Sequence, residues 1–246
     1  MFSFFSSKIV SIIKSCLICI KQNRLMHKET TMKPCYSSFG EDIILDHIFK
    51  NKKNGFYVDI GCYHPEWFSN TKKLFDNGWA GINIDPNIDT INLFNEYRPN
   101  DINLGLAVSD LNGHGEYYKF LAIDIAGGGS GNSLNIDRKS EYAKQGLSSS
   151  TINVTIRTLA DILNEYTNGR KIDFLNIDVE GLDLQVLKSN DWNNYRPQII
   201  AVEIWENTVN YDSLPSNETY KFLREQNYVA FSNTIHTWFF RDANKI

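Results

Sequence analysis

One stretch, Gly55-Phe-Tyr-Val-Asp-Ile-Gly-Cys-Tyr-His-Pro65, constrains the fold of this chain more than any other. Phe56 to Ile60 is a short β-rich run with one carboxylate inside it, and Gly61 stands where the run must bend. A buried strand that ends in a glycine turn and passes into a helix is how an open α/β sheet builds a ligand crevice. A second strand, Ala80-Gly-Ile-Asn-Ile-Asp85, also ends on a carboxylate. In doubly wound folds an acid at that tip accepts hydrogen bonds from ribose hydroxyls. The two strand ends predict a site for a nucleoside-containing cofactor, with Asp85 as the ribose ligand and Asp59, Gly61 and Tyr63 at the first turn.

That turn narrows the cofactor. It holds a single glycine rather than G-x-G-x-x-G, whose glycines let backbone approach a pyrophosphate at a helix N-terminus. S-adenosylmethionine has no phosphate to cradle, so one tight turn at Gly61 suffices. A nicotinamide-dependent oxidoreductase on a similar sheet is a rival reading, and the chain carries neither the glycine fingerprint nor a Tyr-x-x-x-Lys signature for it.

The pattern resembles the FkbM-type S-adenosylmethionine-dependent methyltransferases. The matching pieces are Ser38-Phe-Gly-Glu-Asp42, Tyr57-Val-Asp-Ile-Gly61, Ser69-Asn-Thr71, Gly78-Trp79, Gly81-Ile-Asn-Ile-Asp-Pro86 and Ala107-Val-Ser-Asp110. Asp173-Phe-Leu-Asn-Ile-Asp-Val-Glu-Gly181 and Ile200-Ala-Val-Glu203 extend the likeness over most of the chain. Their order and spacing together make it specific. The resemblance implies an α/β, class I (Rossmann-like) fold with a seven-stranded, mostly parallel sheet that ends in an antiparallel hairpin. It implies that the third strand ends along the adenine ring, with Val108 packed on the ring and Ser109 or Asp110 at its polar edge. It also implies a helix over the pocket that carries Glu41 and Asp42, although an acidic first turn complements a helix dipole in any protein. Ser69, Asn70 and Thr71 either bind the methionyl carboxylate or cap their helix.

A chain of 246 residues suits one α/β domain with decoration. The formal charge of −4 supplies no basic field, which argues against a nucleic-acid partner. Cys16, Cys19, Cys35 and Cys62 lack the spacing of a disulfide framework or a zinc site, and point to a reducing, cytoplasmic setting.

Residues 1–25 place Phe5, Ile9, Ile12, Ile13, Cys16, Leu17 and Ile20 on one face of an amphipathic helix. Lys14 leaves neither half near the ~18 apolar residues a membrane span needs. The helix either packs on the domain or a second subunit, or lies peripherally on a membrane surface. Residues 26–35 read as a linker and 36–246 as the methyltransferase domain.

Within that domain, helices are expected over residues 39–49, with Ile43, Ile44, Ile48 and Phe49 inward, over 69–77, and over 89–97, with Ile91, Leu93, Phe94 and Tyr97 inward. The third strand is expected over 102–108. Residues 113–158 form an insertion with strands near 116–120 and 152–156. Between these lies Ala126-Gly-Gly-Gly-Ser-Gly-Asn-Ser133, which is a mobile lid or a surface loop.

Methyl transfer is an in-line displacement, so the enzyme must align donor and acceptor and collect a proton. Asp59, Asp85, Asp178, Glu180 and Glu203 all fall at expected carboxyl ends of strands, where cationic groups of the cofactor would meet them. Asp178, Glu180 and Glu203 should converge from neighbouring strands, so that one is protonated or a cation sits among them. The metal-free base is favoured, with Glu180 as base and Asp178 orienting the methionyl ammonium. His64 is a second candidate base, or a structural histidine. Trp67 and Trp205 either stack on a sugar ring or belong to the core. The fourth strand of the sheet is expected over Asp173 to Ile177, and no Asp-Pro-Pro-Tyr motif ends it, which argues against nucleobase N-methylation. The family's association with glycans and polyketide-type metabolites then implies an oxygen acceptor, a hydroxyl on a glycan or small natural product. A degenerate, non-catalytic module is the remaining alternative.

Overall fold

Apolar side chains on both sides of Asp59 let Phe56–Ile60 run through the centre of a sheet as strand β1, buried at every residue. β2 (Ala80–Ile84) pairs parallel to it on one flank and β7 (Phe174–Ile177) on the other. The computed structural model describes residues 33–120, 132–146, 148–204 and 211–245. Residues 1–25, most of the glycine-rich run and Trp205 lie outside the described residues. Tyr36–Ile246 forms one compact unit.

The sheet is completed by β3 (Ile102–Leu104), β8 (Ile199–Glu203), β9 (Tyr228–Asn233) and β10 (Thr237–Asp242), in the order β3-β2-β1-β7-β8-β10-β9. β10 runs antiparallel to β8 and β9, and the other pairings are parallel. This is the expected seven-stranded Rossmann-like sheet with its antiparallel hairpin. Both faces are covered, so its strands bury residues on alternate sides. Val58, Ile60, Ile82, Leu175 and Ile200 pack with Leu159, Ile162 and Val186 on one face. Tyr57, Phe174, Ala201 and Phe239 pack with Leu45, Phe49 and Leu74 on the other. The connections reverse direction at β1, which opens a crevice over the carboxyl ends of β1, β2 and β7.

Gly61 sits where the crevice is tightest. Its φ is +79°, and a Cβ there would stand 1.8 Å from the Asp178 carbonyl oxygen. Its N–H bonds Ile84 O at 2.9 Å, while Asp178 N–H bonds Ile60 O at 3.0 Å, so three strand tips are tied at one point. Gly61→Ala is expected to destabilise the protein by about 2–4 kcal/mol, from left-handed backbone plus overpacking against a carbonyl. Urea unfolding measures this, and an unchanged midpoint would contradict it.

Several expectations change. The third strand does not continue to Val108: pairing with β2 stops where β2 ends, and Ala107–Val108 forms β4 in a second sheet. There β6 (Ser149–Arg157) supplies the backbone partners and lies between β4 and β5 (Gly113–Phe120). The insertion also contains a helix (Ile136–Lys144), whose sequence is mostly polar and charged and carries few apolar residues to announce it. Finally, α1 (Glu41–Ile48) turns Glu41, Asp42 and Leu45 inward, with Phe49 behind, and leaves Ile43, Ile44 and Ile48 half-buried. The two acids are buried because both are satisfied. Asp42 accepts from Tyr36 N–H (2.9 Å), Ser37 Oγ (2.8 Å) and Lys73 Nζ (3.3 Å), and Glu41 from Phe39 N–H (2.8 Å) and the Thr234 hydroxyl. They clamp the segment before β1 and do not line the crevice.

Helices α2 (Lys72–Asp76) and α3 (Ile88–Tyr97) flank β2 in sequence. α2 begins three residues later than expected, at the Thr71 cap. α3 buries Thr90, Ile91 and Phe94, while Tyr97 is exposed.

Candidate active site

A cavity of about 480 Å³ occupies the crevice. Asp59, Gly61, Tyr63, Ser69, Asn70, Asp85 and Val108 line it, together with Asp178, Glu180 and Glu203. The strand ends deliver the carboxylates, and the residues around them fix their orientation.

Asp59 is buried and accepts from Thr71 Oγ1 at 2.6 Å and from Asn176 Nδ2 at 2.9 Å. Asn176 in turn accepts from Asn70 Nδ2 at 2.9 Å. Burial pushes the Asp59 carboxyl up, and the two hydrogen bonds pull it back. Asp85 accepts backbone N–H groups from Asn87 at 2.7 Å and Tyr63 at 3.3 Å, one on each oxygen. Each oxygen keeps a lone pair for a diol. Burial pushes its carboxyl up to about 6 against these two bonds.

Asp178, Glu180 and Glu203 each offer an oxygen, and these atoms lie within 4.8 Å of one another. The parallel pairing of β7 with β8 brings the two tips side by side. Glu180 then takes φ +58° and Gly181 φ +97°, a left-handed pair that turns the chain toward Glu203. A non-glycine residue in that region costs about 1 kcal/mol or more and persists where the surroundings hold it. Ser133 Oγ holds the Glu180 carbonyl at 3.0 Å, and Asp183 accepts Val179 N–H at 3.2 Å and Gly181 N–H at 3.1 Å. The arrangement suits either a shared proton or one oxygen-ligated cation.

Asp183, in the first turn of α6 (Asp183–Lys188), escaped the sequence reading; the Gly-Leu-Asp that opens this helix was its only local sign. Burial and then the Asp178 charge push its carboxyl up to about 7. A folded pKa above the unfolded value of about 4 gives stability that is present below pH 4 and lost as pH rises through 7. Asp183→Asn is therefore expected to cost less at pH 8 than at pH 5, by a few kcal/mol. Denaturant unfolding at the two pH values checks this, and an equal or larger cost at pH 8 would refute it.

Other expected residues stand elsewhere. Thr71 lies beneath Asp59 as its hydroxyl donor and is not in the cavity wall. Ser109 bonds Asp110 through Oγ (3.2 Å) and Arg157 through its N–H (3.1 Å), outside the wall. His64 is likewise absent from the wall. Its Nδ1 accepts the N–H groups of Glu66 and Trp67, both at 3.1 Å, and its ring stacks on Trp67 at 4.7 Å. Those bonds make it a staple of its own loop, and Trp67, 53% exposed, packs on it. The wall also contains residues that sequence order kept apart. Leu106, Tyr117 and Leu134 bring apolar surface from the second sheet's side, and Phe39 meets His236 edge-on at 5.9 Å.

The family model described as the methyltransferase FkbM domain matches residues 59–230, more than half of the 246 residues. The chain belongs to the FkbM methyltransferase family. None of the curated proteins compared with it matches. In this FkbM methyltransferase the matched span runs from Asp59 through the second sheet to Glu203 and into β9. Phe39 and His236 lie outside that span. Among the described residues, no helix is long and apolar enough to cross a membrane.

Proposed function

We propose that this methyltransferase is S-adenosylmethionine-dependent and methylates a hydroxyl of a sugar, glycan or similar natural product. The observation that carries the reading is the convergence of Asp178, Glu180 and Glu203 in a cavity that also holds Asp59 and Asp85. The donor set fits the cofactor: buried carboxylates suit its cationic groups and diol, and Gly61, which lets the tips of β1 and β7 close up on each other, lines the same cavity. When bound, S-adenosylmethionine supplies a methyl group on a sulfonium. Asp85 would accept from the ribose hydroxyls, and buried Val108 and Leu106 would give the base an apolar wall. Asp59 and Asp178 would take the ammonium. Glu180 would receive the proton of the acceptor hydroxyl, with Glu203 close enough to hold it at the oxygen. A cytoplasmic setting belongs to the proposal and is supported by four cysteines whose spacing in the sequence is not that of a disulfide framework. Peripheral membrane contact through residues 1–25 is a further part of it.

Equilibrium titration with S-adenosylmethionine and with nicotinamide dinucleotides, followed by methyl transfer from methyl-labelled cofactor to hydroxyl-bearing glycans, tests the reading. Binding of the first alone and label recovered as an ether are expected. Dinucleotide binding would favour an oxidoreductase, and cofactor binding without transfer to any acceptor would favour a non-catalytic module.

A further inference from the structure

The most constrained charge beside the cavity belongs to Arg98, which closes α3 and is 1% exposed. Its guanidinium lies 4.9 Å from the Phe94 ring centroid and 5.1 Å from that of Phe75. It donates to Thr71 Oγ1 at 2.9 Å, Tyr57 Oη at 3.0 Å and Ser69 Oγ at 3.1 Å, and to the Pro65 carbonyl. A guanidinium only donates, so each hydroxyl it meets must accept from it and turn its own proton elsewhere. Tyr57 gives its proton to Asp101, which also holds Gly81 N–H at 2.9 Å and Asn83 Nδ2 at 3.1 Å. Thr71 gives its proton to Asp59 at 2.6 Å. Ser69 has Thr71 Oγ1 only at 3.4 Å, a weak acceptor, and Ser69 lines the cavity. Its proton is therefore available to a ligand, while Asp59, already given one donor on each oxygen, offers its remaining lone pairs.

We infer that Arg98 is a positioning residue that sets the polarity of this wall, acceptor at Asp59 and donor at Ser69, and thereby selects a zwitterionic amino-acid end, ammonium toward Asp59 and carboxylate toward Ser69. The inference rests on the S-adenosylmethionine reading. It gives a buried arginine a role here: burial pushes the Asp59 carboxyl up, the Thr71 and Asn176 hydrogen bonds oppose this, and the Arg98 charge behind Thr71 adds to that opposition while the Asp101 charge works against it.

Two probes separate this role from packing. S-adenosylhomocysteine carries the amino-acid end, and 5′-methylthioadenosine has the same thioether nucleoside without it. Calorimetric titration of both is performed on the full chain and on Thr71→Val, Thr71→Ser and Arg98→Lys. Thr71→Val and Arg98→Lys are expected to weaken S-adenosylhomocysteine about 10-fold while changing methylthioadenosine by less than about 2-fold, and Thr71→Ser to restore the wild-type ratio. In Thr71→Val the S-adenosylhomocysteine affinity should also begin to fall at a higher pH on acidification. Equal losses for both probes, or no loss for either, overturn the inference. Wild-type protein that binds neither probe overturns the cofactor reading itself, and the inference with it. If Arg98→Lys does not fold, the ratio in Thr71→Val decides alone.

Discussion

Glu180→Gln is expected to lower turnover on a hydroxyl acceptor by about 10²-fold or more while leaving the fold and cofactor affinity intact. Glutamine keeps the side-chain shape, and the backbone contact that seats the residue, Ser133 Oγ to the Glu180 carbonyl, does not involve the side chain. The left-handed φ of +58° is available to glutamine at a cost like glutamate's. What is lost is the ability to take a proton. Removing one of three carboxylates within 4.8 Å also relieves repulsion, so stability should be unchanged or slightly higher. Steady-state kinetics with the acceptor, alongside calorimetry with S-adenosylhomocysteine, separates the two effects. Wild-type turnover in the variant would end the assignment of Glu180 as base. Activity lost on chelation and restored by magnesium would instead assign the three carboxylates to a cation, which would lower the hydroxyl's pKa directly.

Asp85→Ala should weaken cofactor binding by roughly 2–4 kcal/mol, because two charge-assisted hydrogen bonds to a ribose diol disappear together. The structure adds a second consequence. Asp85 also holds the N–H groups of Asn87 and Tyr63, so the alanine variant leaves both without their acceptor and loses about 1–3 kcal/mol of stability. Affinity must therefore be measured where the variant is folded, with circular dichroism as the check. Since burial pushes the Asp85 carboxyl up to about 6, wild-type affinity should decline as pH falls through that value. Asp85→Asn should bind weakly with no decline of its own in that range. Unchanged affinity in folded Asp85→Ala would remove Asp85 from the ribose site.

Much of this site was legible because its parts are local. A strand that must be buried, a glycine that must bend and an acid at the tip are neighbours in sequence, and their order predicts which side of the sheet binds ligand. Asp59, Gly61, Asp85, Asp178, Glu180 and Glu203 follow from that logic, and all of them line one cavity. Periodicity was half of the answer in α1: Ile44, Ile48 and Phe49 pack on the core as it favours, but Glu41 and Asp42 are buried as well. A carboxylate is excluded from a core only while it lacks partners. Glu41 and Asp42 find theirs in Thr234 and Lys73, at the far end of the domain and on the next helix. His64 takes the structural one of its two readings, although nothing in its loop sequence announces that Nδ1 will accept two backbone donors.

By itself the sequence determined an open α/β sheet and the carboxyl edge on which the acids stand, and the family resemblance added the seven strands and the closing hairpin. The first two depend on side-chain period, turn chemistry and the one-way logic of parallel strands, and they survive small errors in register. The tertiary structure alone decided which oxygen faces which donor. Arg98 becomes the organiser of Tyr57, Ser69 and Thr71, Asp183 the support of the Val179–Gly181 turn, and Phe39 a neighbour of His236, only when elements remote in sequence are packed together. Hydrogen bonds are short-ranged and directional, so such assignments exist only at the resolution of packed atoms.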